Sequence, residues 1–334
     1  MDGNGMTDIK KELAALSKKL DAPVQKYIKD EKPDNLIEAS RQYPYAGGKR
    51  MRPAVTIVTA GAVEGDRKKA IPLAVAIEYI HNFTLVHDDL MDGDEVRRGM
   101  TTSHVKYGMP TAILAGDALF AKAFQIIAEL DVPDDVLRKV LKLVSQSVWD
   151  LARGQQMDIN NENGEEVSME EYIETIRLKT SVLFAAGAAG GALVGGADDK
   201  TVKAIHEYAM SLGVAFQMFD DVLGIMGDEK KTGKSVGNDI RKGKSTVMVT
   251  HALKNIKDPK VMKEFRGILG NLKASEKDIL KARQILVDTG SIKYAMDLAD
   301  DYTLKAISKL KVLKDGKDKD FLVELAKYAM AREV

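Results

Sequence analysis

Two aspartate motifs stand far apart in this chain, His87-Asp88-Asp89-Leu90-Met91-Asp92 and Phe219-Asp220-Asp221-Val222-Leu223-Gly224. Each lies in a stretch that is otherwise apolar at helical spacing, with Phe83, Leu85 and Val86 before the first and Val214, Phe216 and Met218 before the second. On a helix, residues four apart share a face, so Asp88 and Asp92 point together while Asp89 lies about 100° round. Adjacent carboxylates on an apolar face repel each other and are costly to desolvate, which calls for a cation between the two helices. Oxygen ligands without a Cys or His partner favour magnesium over zinc, and magnesium held by few carboxylates completes its shell with water and phosphate oxygens. The chemistry these residues fit is the handling of a diphosphate. Paired aspartates more often cap helices or face solvent, the reading that suits Asp198-Asp199 and Asp300-Asp301. The apolar approach to the other two pairs sets them apart.

Basic residues are grouped to match. Gly47-Gly48-Lys49-Arg50-Met51-Arg52-Pro53 puts three cations on a glycine-opened turn ahead of a helix, where backbone donors add to the attraction for phosphate. Arg97-Arg98-Gly99 follows the first carboxylate motif, Lys179-Thr180 introduces a Gly/Ala-rich stretch, and Lys230, Lys231, Lys234, Lys242 and Lys244 crowd the segment after the second motif. Two cationic groups beside paired carboxylates suggest two diphosphates.

The elements that must position these residues read as helices nearly throughout. Thr7 is placed to cap a helix over 8–20. Pro53, Pro72 and Pro110 stand near the starts of helices reaching Val63, Met91 and Leu130. Further helical periods cover 134–159, 169–196, 200–226, 245–256, 258–271, 276–289, 291–311 and 319–331, with Ser275 as an N-cap. No hairpin dipeptide is flanked by alternating β-branched residues. The longer connections, 93–107 and 227–244, follow the two aspartate motifs, where phosphate-handling loops belong. The fold class predicted is all-α, a single-domain many-helix bundle around a deep central cavity over residues 7–334, with 1–6 a loose leader and Met6 a second possible start.

Composition bounds the function. With 334 residues and 45% hydrophobic content the chain can bury a large core. Lys plus Arg equals Asp plus Glu at 50 each, so no basic field points to nucleic acid. The absence of cysteine excludes disulfides, thiolate catalysis and Cys-ligated zinc. The N-terminal stretch lacks a signal-peptide pattern, and a cytoplasmic protein is expected. The uncharged run Ser181–Ala197 has Gly187, Gly191 and Gly195 at four-residue intervals, like a membrane dimerisation face. It is too short and too rich in Ala and Gly for a span, so a buried helix approached closely by its neighbours is expected instead.

GGKRMRP, EYIHNFTLVHDDLMDGDEVRRG, RLKTSVLF, FQMFDDVLG and DEKKTGKSVGNDIRKGKST occur in the order and approximate spacing of the trans-isoprenyl diphosphate synthases, over residues 40–250. The chain resembles that family, and within it the archaeal geranylgeranyl diphosphate synthases. The resemblance implies an all-α prenyl-synthase fold, a homodimer, and condensation of isopentenyl diphosphate with an allylic diphosphate of C5 to C15 using three magnesium ions, for which manganese can substitute. It implies Asp88, Asp92 and Asp220 as metal ligands, with Asp89, Asp221 and Asp239 supporting them. Arg97, Lys179, Lys234 and Lys244 match the grip on the allylic diphosphate. Gly48, Lys49, Arg52, His81 and Arg98 match the isopentenyl diphosphate site, and Thr180 and Gln217 lie near the reacting carbons.

Spacing agrees independently. Asp88 and Asp92 each fall within about 20° of His81 on an ideal helix wheel, and Gln217 shares a face with Asp220. Phe83 lies five residues before Asp88, roughly 7.5 Å along the helix axis, with the small Thr84 beside it. In the family an aromatic there acts as a floor under the growing tail, implying a C20 product. The alternative for Phe83 is ordinary core packing. One departure is Gly224, where many relatives have a third aspartate; activity is expected to survive with altered metal affinity or product range. Competing readings are a bifunctional farnesyl/geranylgeranyl or somewhat longer-chain synthase, a class I terpene cyclase, a non-catalytic synthase subunit and a helical scaffold. A cyclase needs neither the Gly47–Pro53 turn nor Arg98, a non-catalytic subunit would have lost motif residues, and a scaffold has no use for buried paired carboxylates.

Overall fold

The structure, a computed structural model, describes residues 3–161, 167–227 and 237–330. In chain order its helices are α1 (Gly3–Lys19), α2 (Asp21–Lys26), α3 (Asp34–Tyr45), α4 (Met51–Ala62), α5 (Ile71–Asp92), α6 (Ser103–Tyr107), α7 (Met109–Ala128), α8 (Asp134–Asn161) and α9 (Met169–Ile176). A π-helical turn, Arg177–Ser181, leads into α10 (Val182–Val194) and α11 (Asp199–Met226). After these come α12 (Asn238–Arg241), α13 (Val247–Asn255), α14 (Pro259–Ile268), α15 (Glu276–Asp288), α16 (Ser291–Lys309) and α17 (Lys317–Met330). Two short strands, β1 (Val96–Arg97) and β2 (Met100–Thr101), pair antiparallel. The chain gathers into two compact units, Met1–Val148 with Leu183–Glu207 and Lys309–Leu325, and Trp149–Val182 with Tyr208–Ser308 and Ala326–Val334.

In the first unit α5 is the axis. Pro72 stands in its first turn, where a missing N–H costs no hydrogen bond. From Leu73 to Ile80 every side chain is buried, so this part of α5 is apolar on all sides except at Glu78. The helix stops at Gly93, whose φ of +65° lets its N–H turn back to the Asp89 carbonyl. α10 packs on α4 through the glycine stripe. A Cβ on Gly187 would lie 2.6 Å from Thr56 Oγ1, one on Gly195 2.7 Å from the Ala60 carbonyl oxygen, and one on Gly191 would overlap the Thr56 carbonyl. Thr59 Oγ1 uses the close approach to donate to the Ala188 carbonyl at 2.9 Å. The stripe is thus a buried helix contact, as its Ala and Gly content predicts. By length and apolarity alone, α7 and α11 would also qualify as membrane spans.

The second unit packs α9, α11, α13, α14, α15 and α16 around a core that includes Tyr172, Met218, Val222, Ile240, Met248, Phe265 and Leu286. Its helices start on capping side chains. Ser168 with Glu171 and Ser275 with Asp278 form reciprocal capping boxes, and Thr246 and Asp258 cap α13 and α14.

Several boundaries differ from the sequence reading. α1 begins at Gly3, so Thr7 lies inside it and residues 3–6 are helical backbone rather than a loose leader. The helix expected over 169–196 is interrupted by the π turn at Arg177–Ser181. A hairpin exists after all. Its turn is Arg98-Gly99, with φ of +52° and +75°, the type I′ geometry in which glycine is favoured and arginine is not. Asp198 and Asp199 do the expected surface work, the first capping α11 through the Thr201 N–H at 2.7 Å and the second pairing with Lys139 at 2.7 Å. Asp300 and Asp301 are exposed.

Candidate active site

The last turn of α5 separates its three aspartates by direction. Asp88 and Asp92 are half-exposed on one face. Asp89 points inward and is fully buried, accepting a hydrogen bond from the Tyr43 hydroxyl and, at 2.5 Å, from both Nε and Nη2 of Arg97. Burial pushes the Asp89 carboxyl above its ordinary value, and the Tyr43 bond and the Arg97 charge pull it back down. Arg97, matched in the sequence to the allylic diphosphate, thus also holds Asp89 and with it the end of α5.

The cationic turn is built by backbone shape. Gly47, Gly48 and Arg50 take φ of +77°, +142° and +43° before α4 begins. Arg50 turns inward. Its buried guanidinium reaches Asp21 Oδ1 at 2.9 Å, the Pro44 carbonyl at 3.1 Å and the Ser17 carbonyl at 3.5 Å, tying the turn to α1, α2 and α3. Lys49 is left exposed. Arg98, at the hairpin tip, donates from Nη1 to the Gly47 carbonyl at 3.0 Å, and a Cβ on Gly48 would sit 2.9 Å from that same nitrogen. Arg52 lies over the Phe184 ring, 4.3 Å from its centroid, and its Nη1 is 3.4 Å from His81 Nε2. A guanidinium has only N–H groups to offer, so Nε2 accepts and Nδ1 carries the ring hydrogen. Burial, then the charges of Arg52, Arg98 and Arg97, hold the His81 imidazole well below its usual value and hence neutral. Gly48, Arg52, His81 and Arg98, matched in the sequence to one diphosphate, are thus brought together.

Phe83 points from α5 onto α7, edge-on to Phe120 with ring centroids 5.5 Å apart, and edge-on to His87 at 5.6 Å. Thr84 bonds its hydroxyl back to the His81 carbonyl at 2.7 Å. His87 fits because Gly116 on α7 has no side chain; a Cβ there would overlap the imidazole.

In the second unit a hydrogen-bond chain runs from Thr180 Oγ1 to Gln217 Oε1 at 3.0 Å, and from Gln217 Nε2 to Asp221 Oδ1 at 2.9 Å. The Tyr172 hydroxyl donates to Asp221 Oδ2 at 2.8 Å. Burial, then the nearby Asp239 charge, push the Asp221 carboxyl up to about 7, which marks a place where added positive charge is favoured. Lys244 Nζ stands 4.0 Å from Asp239 Oδ1. Gly224 is explained by the same carboxylate, since a Cβ there would lie 2.7 Å from Asp239 Oδ2. Where many relatives carry a third aspartate, this chain makes room for Asp239. Asp220, beside Asp221 on α11, is half-exposed. A cavity of about 120 Å³ is lined by Asp158, Lys179, Thr180, Gln217, Asp221 and Lys244 among others. Lys234 lies outside the described residues.

The donor chemistry fits magnesium. Among the described residues no three carboxylate, imidazole or thiolate groups gather into a closed cage. A pair of carboxylates one helical turn apart suits an ion that takes its remaining ligands from water and phosphate, as magnesium does and structural zinc does not. Sequence reading missed Tyr43, Tyr172 and Asp158, which act on motif residues from other helices. Only Asp158 left a trace, four residues after Gly154 on one face of α8.

A helical scaffold with divided aspartate motifs and two cationic groups defines the isoprenoid synthase fold. The geranylgeranyl pyrophosphate synthetase of Pyrococcus horikoshii shares it, with a TM-score of 0.91 and 42% identity over 99% of each chain. The chain belongs to the polyprenyl synthetase family, whose sequence profile matches residues 33–286. It is 39% identical over 323 residues to the geranylgeranyl diphosphate synthase of Methanosarcina mazei, covering 96% of this chain and 97% of that protein. It is 41% identical over 309 residues to the geranylfarnesyl diphosphate synthase of Aeropyrum pernix, covering 90% and 95%.

Proposed function

We propose that this chain is a trans-prenyltransferase that condenses isopentenyl diphosphate with allylic diphosphates of C5 to C15 to give geranylgeranyl diphosphate. The observation that carries the reading is the convergence of Gly48, Arg52, His81 and Arg98 at a glycine-opened turn, beside the helix that ends in Asp88 and Asp92. A second diphosphate needs such a site, and a cyclase acting on a single substrate does not. Near-full-length similarity to a named geranylgeranyl diphosphate synthase supports the same reading.

Asp88 and Asp92 on α5, and Asp220 on α11, would hold magnesium, and the bound ions would supply the positive charge that steadies a departing diphosphate. Arg98, Arg52 and the Nδ1–H of His81 would grip isopentenyl diphosphate. Neutral His81, with its basicity suppressed, is a poor proton acceptor. By the family resemblance, the released diphosphate would take the proton lost after condensation. Thr180 and Gln217 are linked to Asp221 by hydrogen bonds, and would present oriented dipoles toward the allylic carbons where positive charge develops. Phe83 would limit the product to C20. The geranylfarnesyl synthase relative favours a second reading, in which some C25 is also released. A single domain is supported by one uninterrupted family match, and a homodimer by the exposed apolar residues of α7.

Purified protein incubated with magnesium, labelled isopentenyl diphosphate and each allylic primer should give C20 diphosphate only when both substrates are present, and none after chelation. Cyclic hydrocarbon from one substrate, or turnover that survives chelation, would overturn the proposal.

A further inference from the structure

Asp158 on α8 is an acidic side chain that neither aspartate motif accounts for. Lys179 Nζ donates to its Oδ2 at 2.5 Å, with the two side chains 27% and 25% exposed. Lys179 is carried by the π-helical turn, whose extra residue per turn moves its side chains off the register of the flanking helices. One turn before Asp158, Gly154 gives α8 a bare backbone against that turn. A Cβ on Gly154 would overlap the Lys179 amide and lie 2.7 Å from the Leu178 carbonyl carbon. Gly154 and Asp158 share one face of the helix, so the close approach and the ion pair belong to one contact. Further along, Asn161 Nδ2 donates to Thr175 Oγ1 at 3.3 Å, fixing the same stretch of α8 against α9. Asp158, Lys179, Thr180 and Gln217 line the same cavity.

A lysine ammonium is a point charge on a flexible stem with three N–H donors. Pairing one donor with Asp158 fixes the nitrogen and leaves two for phosphate oxygens. The pair also cancels a carboxylate charge that would otherwise repel a diphosphate. We infer that Asp158 is a positioning residue for the allylic diphosphate, acting through Lys179. This rests on the prenyl-transfer reading, and it makes a claim about sign. Removing Asp158 harms binding while Lys179 is present, and does not harm it once Lys179 is gone, because an unpaired carboxylate only repels the ligand.

The test is a double-mutant cycle read by calorimetric binding of an allylic thiodiphosphate with magnesium, alongside KM values for both substrates. Asp158→Ala is expected to weaken analogue binding about tenfold while KM for isopentenyl diphosphate stays within twofold. In the Lys179→Ala background the same substitution is expected to leave binding unchanged or tighten it. If Asp158→Ala fails to fold, the isosteric Asp158→Asn takes its place in the same cycle. Equal weakening in both backgrounds, or a matching rise in KM for isopentenyl diphosphate, would overturn the inference. Failure of the wild-type chain to bind the analogue would instead overturn the prenyl-transfer reading.

Discussion

Phe83 stands roughly 7.5 Å below Asp88 along the α5 axis, and it does not stand alone. Its ring meets Phe120 edge-on, and Phe120 lies 5.0 Å from Phe124, so α7 supplies a second aromatic tier behind the first. Replacing Phe83 by alanine removes one ring and leaves the other two. Product from Phe83→Ala should therefore lengthen in a limited way, with C25 the first new species when the diphosphates are dephosphorylated and weighed by mass spectrometry. A distribution still confined to C20 would reduce Phe83 to a packing residue. Gly224 belongs to the same scale. The sequence alone presents it as a missing aspartate, whereas in three dimensions the Asp239 carboxylate fills the space beside it. No local pattern could disclose that, because the two residues meet only when the segment after α11 returns.

At the scale of elements, the glycines of α10 test how closely two helices can approach. A methyl group on Gly191 would collide with the Thr56 carbonyl and Thr59 Oγ1, so α4 must retreat or the Thr59 to Ala188 hydrogen bond must break. Gly191→Ala should cost about 1–3 kcal/mol in urea unfolding, the usual range for overpacking. Gly267→Ala in α14 is the control. Nothing lies within 4 Å of a Cβ there, and replacing a helical glycine should stabilise by about 0.5–1 kcal/mol. Equal effects at the two sites would mean that the α4–α10 contact yields easily. The apolar period and the prolines made α4, α5, α7, α8 and α11 legible from sequence. The π turn was not, since a single inserted residue leaves the apolar pattern of 169–196 almost unchanged. The hairpin was hidden because its turn places Arg98 where asparagine or glycine is usual. That rarely adopted backbone is what aims Arg98 back at Gly47.

At the scale of the whole molecule, equal numbers of acidic and basic residues leave no long-range field to gather diphosphates. Attraction for them must be local, which is why the cationic side chains are held by backbone geometry and by acidic partners, the buried Asp89 and the half-buried Asp158. What the surface does offer broadly is apolar. On α7, Met109, Ile113 and Leu114 are 59%, 39% and 56% exposed, and Phe120 is 36% exposed. Met109, Ile113 and Phe120 fall within about 40° on a helix wheel, a stripe wide enough to seat another helix. Isolated exposed leucines need no explanation, but a continuous stripe beside the ring that backs Phe83 does. A second copy of the chain covering this stripe would remove it from water and brace α7 behind the aromatic tier. Ile113→Asp places a charge at the centre of that contact while leaving every diphosphate-binding residue in place. Light scattering on the eluting protein should give twice the chain mass for wild type and the single-chain mass for Ile113→Asp at micromolar concentration, with the helical circular dichroism unchanged. A wild-type chain that elutes as a monomer, or an Ile113→Asp variant that remains a dimer, would rule out this face as the interface.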